Sequence, residues 1–170
     1  MNILFLLTPK GDVAHIVETE SVRQVLEKME KHGYTAIPLL SKNGKYIGTV
    51  TEGDLLWYLT EHGFPELDEL AEVPITTIRR RRDNTAVHVR EKMEELFEKV
   101  ANQNFVPVVD DDRVFIGIVT RKDVLLYMAK RFNKKIKNSY LYVINDAGHF
   151  CFIEKAYEFN VILKEFLNGE

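Results

Sequence analysis

Two short segments carry the residue types that can hold an anion or a sugar. Gly48-Thr49-Val50-Thr51-Glu52-Gly53-Asp54 and Gly117-Ile118-Val119-Thr120-Arg121-Lys122-Asp123 both read G-x-x-T-x-x-D. A hydroxyl and a carboxylate three residues apart, ahead of an apolar run, form a capping box. Thr51 and Thr120 stand at the N-cap, Asp54 and Asp123 at the third helical position. The same groups suit a phosphorylated nucleoside. A Gly at the end of a strand allows a tight turn. The following helix N-terminus offers free N–H groups and the positive end of a dipole to a phosphate. The Thr hydroxyl can bond that phosphate. The Asp carboxylate can accept from two ribose hydroxyls, each charge-assisted bond contributing roughly 1.5–3 kcal/mol. Capping and binding are compatible, because capping positions the groups that bind.

The motifs differ between Thr and Asp. A phosphate at the first would meet Glu52, which repels it; at the second it would meet Arg121 and Lys122 close to the dipole's positive end. The tighter site is therefore expected beside Thr120, Arg121, Lys122 and Asp123. Other chemistries find less support. No pair among the five histidines stands at the i, i+4 spacing of a metal-binding helix. Ser21, Ser41 and Ser139 all lack the G-x-S-x-G context of an activated nucleophile. Cys151 stands between Phe150 and Phe152 and reads as a core residue. Asp110-Asp111-Asp112 reads as hairpin-turn acids or, less simply, as a metal site. Arg79 to Arg82 reads as a solvated linker or an anion clamp.

The positioning elements occur twice. Pro38 and Pro107, Gly48 and Gly117, Asp54 and Asp123 share an offset of 69, the mark of an internal duplication. In the first copy Val13 to Val17 reads as a strand. Ser21 and Gln24 form a capping box opening a helix with Val22, Val25, Leu26 and Met29 inward. Tyr34 to Leu40 is a buried strand, Ser41 to Lys45 a hairpin turn with an Asn-Gly signal, and Tyr46 to Val50 the returning strand. Asp54 to Thr60 is a helix with Leu55, Leu56 and Leu59 inward. The second copy repeats this order. Its helix, with Met93, Leu96, Phe97 and Val100, stands at offset 71, so its helix-to-strand turn is two residues shorter. His15 and His88 are equivalent positions, which fits a structural role or a ligand contact. Residues 1–8 are expected as a short helix or strand against the core, Thr8 to Asp12 as a turn, and Pro65 to Glu72 as a short linker helix.

Composition sets outer bounds. Apolar residues at 45% and charged ones at 29% are ordinary for a globular protein. A net charge of −3 argues against wholesale nucleic-acid binding. One cysteine excludes an internal disulfide framework and fits a reducing compartment. No run reaches 18 apolar residues, and the start lacks a basic region and cleavage site, so a cytoplasmic protein without a membrane span is expected.

Apolar strand, Pro, turn, aromatic-Ile-Gly-x-x-Thr-x-x-Asp and closing helix, all duplicated, resemble a tandem pair of CBS domains, a Bateman module. The resemblance covers roughly residues 5–132. It implies an α/β (α+β) fold of two sheets with flanking helices about a pseudo-twofold axis. The expected division is a first CBS domain over 5–63, a linker over 64–84, a second CBS domain over 85–132, and a strand-helix appendix over 138–170. It implies clefts between the repeats for adenosyl ligands (AMP, ADP, ATP, S-adenosylmethionine or cyclic dinucleotides), no cofactor beyond that regulatory ligand, and a homodimer.

Phe5, Pro9, Val13-Ala14-His15, Gly33 to Pro38, Phe105-Val106 and Thr120-Arg121-Lys122 resemble the small stand-alone Firmicutes CBS proteins that bind cyclic di-AMP. Carried over, the ligand contacts are Ala14 and Thr35 from the first copy and Arg121 and Lys122 from the second, with the ligand's base expected against Ala14, Thr35 and Ala36. Asp12 stands where that family has a basic residue, and Lys10 or the Arg79–Arg82 run would compensate. The implied role is regulation of a partner protein, such as a stringent-response nucleotide synthetase, which nothing in the chain identifies. Gly148-His149-Phe150, Glu154 and Phe159-Asn160 resemble the last strand, histidine loop and final helix of an α/β-hydrolase. That resemblance is the basis of the alternative function, an accessory hydrolase using the His149 region, and it lacks a nucleophile.

Overall fold

A computed structural model describes residues 3–135, 144 and 154–168. The expected strand 140–144 and the loop with His149 and Cys151 lie outside these residues, apart from Ile144. The chain separates into two compact units, Met1–Val124 and Leu125–Glu170. The division falls inside the helix that closes the second repeat.

Each repeat builds a hairpin, a short parallel strand and two helices. In the first, β2 (Ile16–Val17) lies parallel to β3 (Ala36–Leu40), which pairs antiparallel with β4 (Tyr46–Thr51). In the second, β5 (Val87–His88) lies parallel to β6 (Phe105–Val109), which pairs with β7 (Phe115–Thr120). Bulges fall at Leu39/Leu40 and at Val108/Val109, so the duplication extends to the irregularities. β2 pairs only with Leu39 and Leu40, and β5 only with Val108 and Val109. Pro38 and Pro107 thus sit just outside the parallel ladder, where a missing N–H costs nothing. The two sheets meet at their hairpin tips, where Lys45 bridges Val114 and Phe115 N donates to Gly44 O at 2.9 Å.

β1 (Thr8–Pro9) pairs antiparallel with β7, so the expected turn over Thr8 to Asp12 is a strand followed by a 3₁₀ turn. A Cβ at Gly117 would overlap the Thr8 carbonyl, which explains a glycine at that crossing. Met1 and Asn2 aside, the start is a 3₁₀ turn, Ile3–Leu6, with Ile3 buried.

The helices follow their signals. α1 (Val22–His32) opens on the Ser21/Gln24 capping box and stops at Gly33 in the left-handed conformation. Its counterpart α4 (Met93–Asn102) ends at an extended Gln103. Absence of the glycine stop is the physical form of the shorter turn in the second copy. α2 (Glu52–Glu61) buries Leu55 and half-buries Leu59, but Leu56 is 52% exposed and not inward as its spacing suggested. α3 (Leu67–Leu70) is half the expected length. α5 (Arg121–Lys135) follows the second motif, and α6 (Ala156–Asn168) forms most of the described appendix.

The first repeat's core joins Ile16, Val25, Met29, Ile37, Leu39, Val50 and Leu55 to Leu70, Ile75 and Ile78 of the linker. A second cluster, Val13, Leu40 and Phe115, crosses from one repeat to the other. Among the described residues, no helix is long and apolar enough to cross a membrane, and no group of three metal-ligating side chains converges.

Candidate functional site

The first motif is folded into its own scaffold. Asp54 Oδ2 accepts from Thr51 N at 3.0 Å and from Thr51 Oγ1 at 2.7 Å, while Asp54 N donates to Thr51 Oγ1 at 3.1 Å. Asp54 Oδ1 accepts from Arg81 N at 2.9 Å. With three donors and 3% exposure, this carboxylate is satisfied by the protein. The first helical amide is also taken, Glu52 N donating to Thr35 O at 3.0 Å.

The second motif is less enclosed. Thr120 Oγ1 donates to Asp123 Oδ2 in a short bond, and Asp123 N returns a bond to Thr120 Oγ1 at 3.1 Å. Among the described residues Asp123 accepts from Thr120 alone, and it is half-buried. Arg121 N donates to Asn104 O at 2.9 Å, the counterpart of Glu52 with Thr35. Arg121 Nε donates to Val100 O and Gln103 O at 3.0 and 3.2 Å, satisfying carbonyls at the end of α4.

Between the repeats lies a cavity of about 270 Å³. Val13, Tyr34, Thr35 and Ala36 line it from the first repeat, and Asn104, Phe105, Ile118 and Thr120 from the second. Its position follows from register. Ala36 pairs with Thr51 and Phe105 with Thr120, so each hairpin brings the start of its inner strand beside the end of its outer one. The wall is apolar, with the Thr35 and Thr120 hydroxyls and the Asn104 amide as polar groups. Such a mixture fits a flat aromatic base held by a few directional bonds.

Three of the residues singled out by the motifs and the family likeness therefore share one cavity: Thr35, Ala36 and Thr120. The others are placed elsewhere. Ala14 is half-buried against the first core. Asp12 is exposed at the end of its 3₁₀ turn, and Lys122 is exposed on α5. Thr51 and Asp54 form the closed cap, and Asp54 also borders a hollow of about 240 Å³ with Trp57, Tyr58, His62, Thr77 and Arg79. Arg121 and Asp123 lie at the α5 N-terminus and are not among the lining residues. Asn104, Phe105 and Ile118 add to the wall; Phe105 belongs to the family likeness without a ligand role, and all three are the offset-69 equivalents of Thr35, Ala36 and Thr49.

The two equivalent histidines serve the fold. His15 Nδ1 lies 3.0 Å from Val13 O, and the imidazole packs beside Phe115. His88 Nδ1 accepts from Arg90 N at 3.1 Å, while Nε2 meets Asp111 at 2.9 Å. Asp110 Oδ1 accepts from Asp112 N and Val114 N, so the acidic triplet is a hairpin turn.

The CBS-domain family matches the chain twice, over residues 7–61 and 75–130. The chain belongs to the CBS-domain family. As a CBS pair it is similar to cyclic di-AMP receptor B of Bacillus subtilis, 34% identical over 131 residues that span 74% of this chain and 82% of the receptor. A crystal structure of CbpB in complex with c-di-AMP matches with a TM-score of 0.69 at 24% identity, covering 80% of this chain and 91% of that one. A hypothetical conserved protein from Geobacillus kaustophilus matches with a TM-score of 0.67 at 26% identity, covering 80% and 98%. The expected α/β CBS-pair architecture is the architecture found. The relatives include chains named as enzymes, but the likeness to a cyclic di-AMP receptor over most of both chains supports a regulatory nucleotide-binding role over the hydrolase alternative.

Proposed function

We propose that this CBS pair is a nucleotide sensor that takes cyclic di-AMP in the cleft between its repeats and conveys occupancy to a partner protein. The cavity carries the reading: it gathers Thr35, Ala36 and Thr120 around one space with apolar walls and few polar groups. The likeness to cyclic di-AMP receptor B supports that ligand. A volume of about 270 Å³ lies just below the ~300–1,000 Å³ of typical ligand pockets. It suits one adenosyl half, with the other half at the open mouth. Arg121, Lys122 and Asp123 follow Thr120 in the first turn of α5 and are the groups assigned to a ribose or phosphate. The protein acts by binding, without turnover, cofactor or metal.

The functional unit is a cytoplasmic homodimer, bound to neither nucleic acid nor membrane. Leu56 and Trp57 on α2, at 52% and 47% exposure, are the apolar surface that dimerisation would cover. The division into CBS domains at 5–63 and 85–132, with a linker between and an appendix at 138–170, belongs to the same reading.

Thermal unfolding with cyclic di-AMP, AMP, ATP and S-adenosylmethionine tests it. Ligand at 100 times its Kd stabilises by about 2.7 kcal/mol. For a chain of this size that raises Tm by about 5–10 °C. Cyclic di-AMP is expected to give the largest shift. An unchanged Tm with every nucleotide at millimolar concentration would refute the reading.

A further inference from the structure

The helix that closes the second repeat runs past the point where its counterpart stops. By the offset of 69, Glu61, His62 and Gly63 of the first copy answer to Lys130, Arg131 and Phe132. α2 ends at Glu61, and Gly63 follows at φ 73°. Phe132 stands in that glycine's place, and α5 continues to Lys135. The extension is basic. Residues 130–137 hold five Lys and Arg, and the next acid after Asp123 is Asp146. At helical spacing Lys130, Arg131, Lys134 and Lys135 fall on the side of Tyr127, and Leu125 and Met128 on the other. Lys130 and Arg131 are exposed, and the Arg131 guanidinium lies over the Tyr127 ring at 5.7 Å. The helix itself gains little from this charge. Its C-terminal end favours cations. Yet Lys130 with Lys134, and Arg131 with Lys135, set like charges at i, i+4, which destabilises a helix. Arg23, Lys28, Arg80 and Arg90 each face a carboxylate. Among the described residues Lys130 and Arg131 face none. The four helical cations span about 8 Å of axis, a match for a short acidic segment rather than for an extended phosphate lattice. A chain of net charge −3 also approaches a nucleic acid or an anionic membrane against repulsion.

We propose that the basic face of α5, over Lys130, Arg131, Lys134 and Lys135, docks an acidic segment of a partner protein. This extends the partner half of the sensor reading and is tested without nucleotide. The probe is a fluorescein-labelled peptide of Glu-Leu-Glu-Glu repeats, followed by anisotropy at low ionic strength. The proteins are the whole wild-type chain, Lys130→Glu/Lys134→Glu, and Lys31→Glu/Lys42→Glu, which makes the same change of net charge at exposed residues elsewhere. Saturable binding by wild type is expected, at least tenfold weaker in the first variant and nearly unchanged in the second. Lys130→Gln/Lys134→Gln is expected to weaken binding at least threefold, which keeps the test open where the charge reversal fails to fold. No saturable binding by wild type, or equal losses in the two reversal variants when both melt as wild type does, overturns the proposal. Tighter binding of a thymidine oligonucleotide or of phosphatidylglycerol vesicles than of the peptide also overturns it, by giving the face to a nucleic acid or a membrane. In light scattering Lys130→Glu/Lys134→Glu is expected to keep the wild-type mass. Its dissociation into monomers would give the face to a second copy and overturn the partner reading. Failure of cyclic di-AMP to bind, together with peptide binding that depends on Lys130 and Lys134, would refute the nucleotide reading and leave the docking face supported.

Discussion

At the first motif the Asp54 carboxylate accepts three hydrogen bonds and is almost wholly buried. At the second, Asp123 accepts from Thr120 alone among the described residues and is half-buried. The motifs read alike, and both cap a helix. The contrast arises outside them: Arg81 N and Asp83 reach back onto the first repeat, whereas the segment before the second cavity contributes a strand and a glycine. A duplicated motif therefore does not imply duplicated sites. In one copy its polar groups hold the linker; in the other they stay near a cavity.

The largest expected effect separates the two carboxylates. Asp54→Ala should cost about 3 kcal/mol, because it orphans a buried amide and hydroxyl and removes a cap. Asp123→Ala should cost about 1 kcal/mol. Urea unfolding of both variants measures this, and equal losses would break the contrast.

Next comes Tyr46, whose repeat equivalent is Phe115. Its hydroxyl donates to Asn84 O and shares a bond with Thr49 Oγ1. Tyr46→Phe should cost about 1–2 kcal/mol. Burial pushes the Tyr46 hydroxyl above the usual tyrosine range. A folded pKa above the unfolded value of about 10 means the contribution is complete below pH 10 and is lost as pH rises further. Wild type should lose stability between pH 10 and 11 faster than Tyr46→Phe, in matched denaturation series.

The smallest effect concerns the hairpin tips. Gly44 has φ 76° and its equivalent Arg113 has φ 63°, so the second copy places a side chain in the left-handed region. Arg113→Gly should raise stability by about 1 kcal/mol, whereas Gly44→Ala should lower it by a similar amount. Destabilisation by Arg113→Gly would show that the arginine contributes a contact that outweighs its backbone cost.

Much of the fold was legible because its signals are local. Ser21/Gln24 and Thr51/Asp54 announce their caps within four residues, and both caps form. Alternate pairing of the hairpins follows from strand lengths and turn residues. Leu56 was misread because a ten-residue helix leaves its rotational setting ambiguous by one position; Leu55 holds the core instead. β1 was hidden because Thr8 and Pro9 form a ladder with Ile118 and Gly117, more than a hundred positions away, and carry no periodicity of their own. Asp83 and Asn84 were missed for the same reason. Their partners Thr49, Tyr46 and Phe105 lie 21 to 38 residues distant, and an Asp-Asn pair otherwise reads as an ordinary loop. At the cavity, the motif and family reading reached Thr35, Ala36 and Thr120 as ligand contacts and Phe105 as part of the likeness without a ligand role, while Asn104 emerges only when the two copies are superimposed.

Calorimetric titration of wild type and Ala36→Trp with cyclic di-AMP tests the central claim most directly. Ala36 lines the cavity, and an indole there would occupy the space assigned to the adenine. The expected result is a saturable isotherm for wild type and at least 100-fold weaker binding for the variant, about 2.7 kcal/mol, with both proteins folded and melting within a few degrees of each other in the absence of ligand. Equal affinity in the two folded proteins would contradict the claim and move the nucleotide away from this cleft.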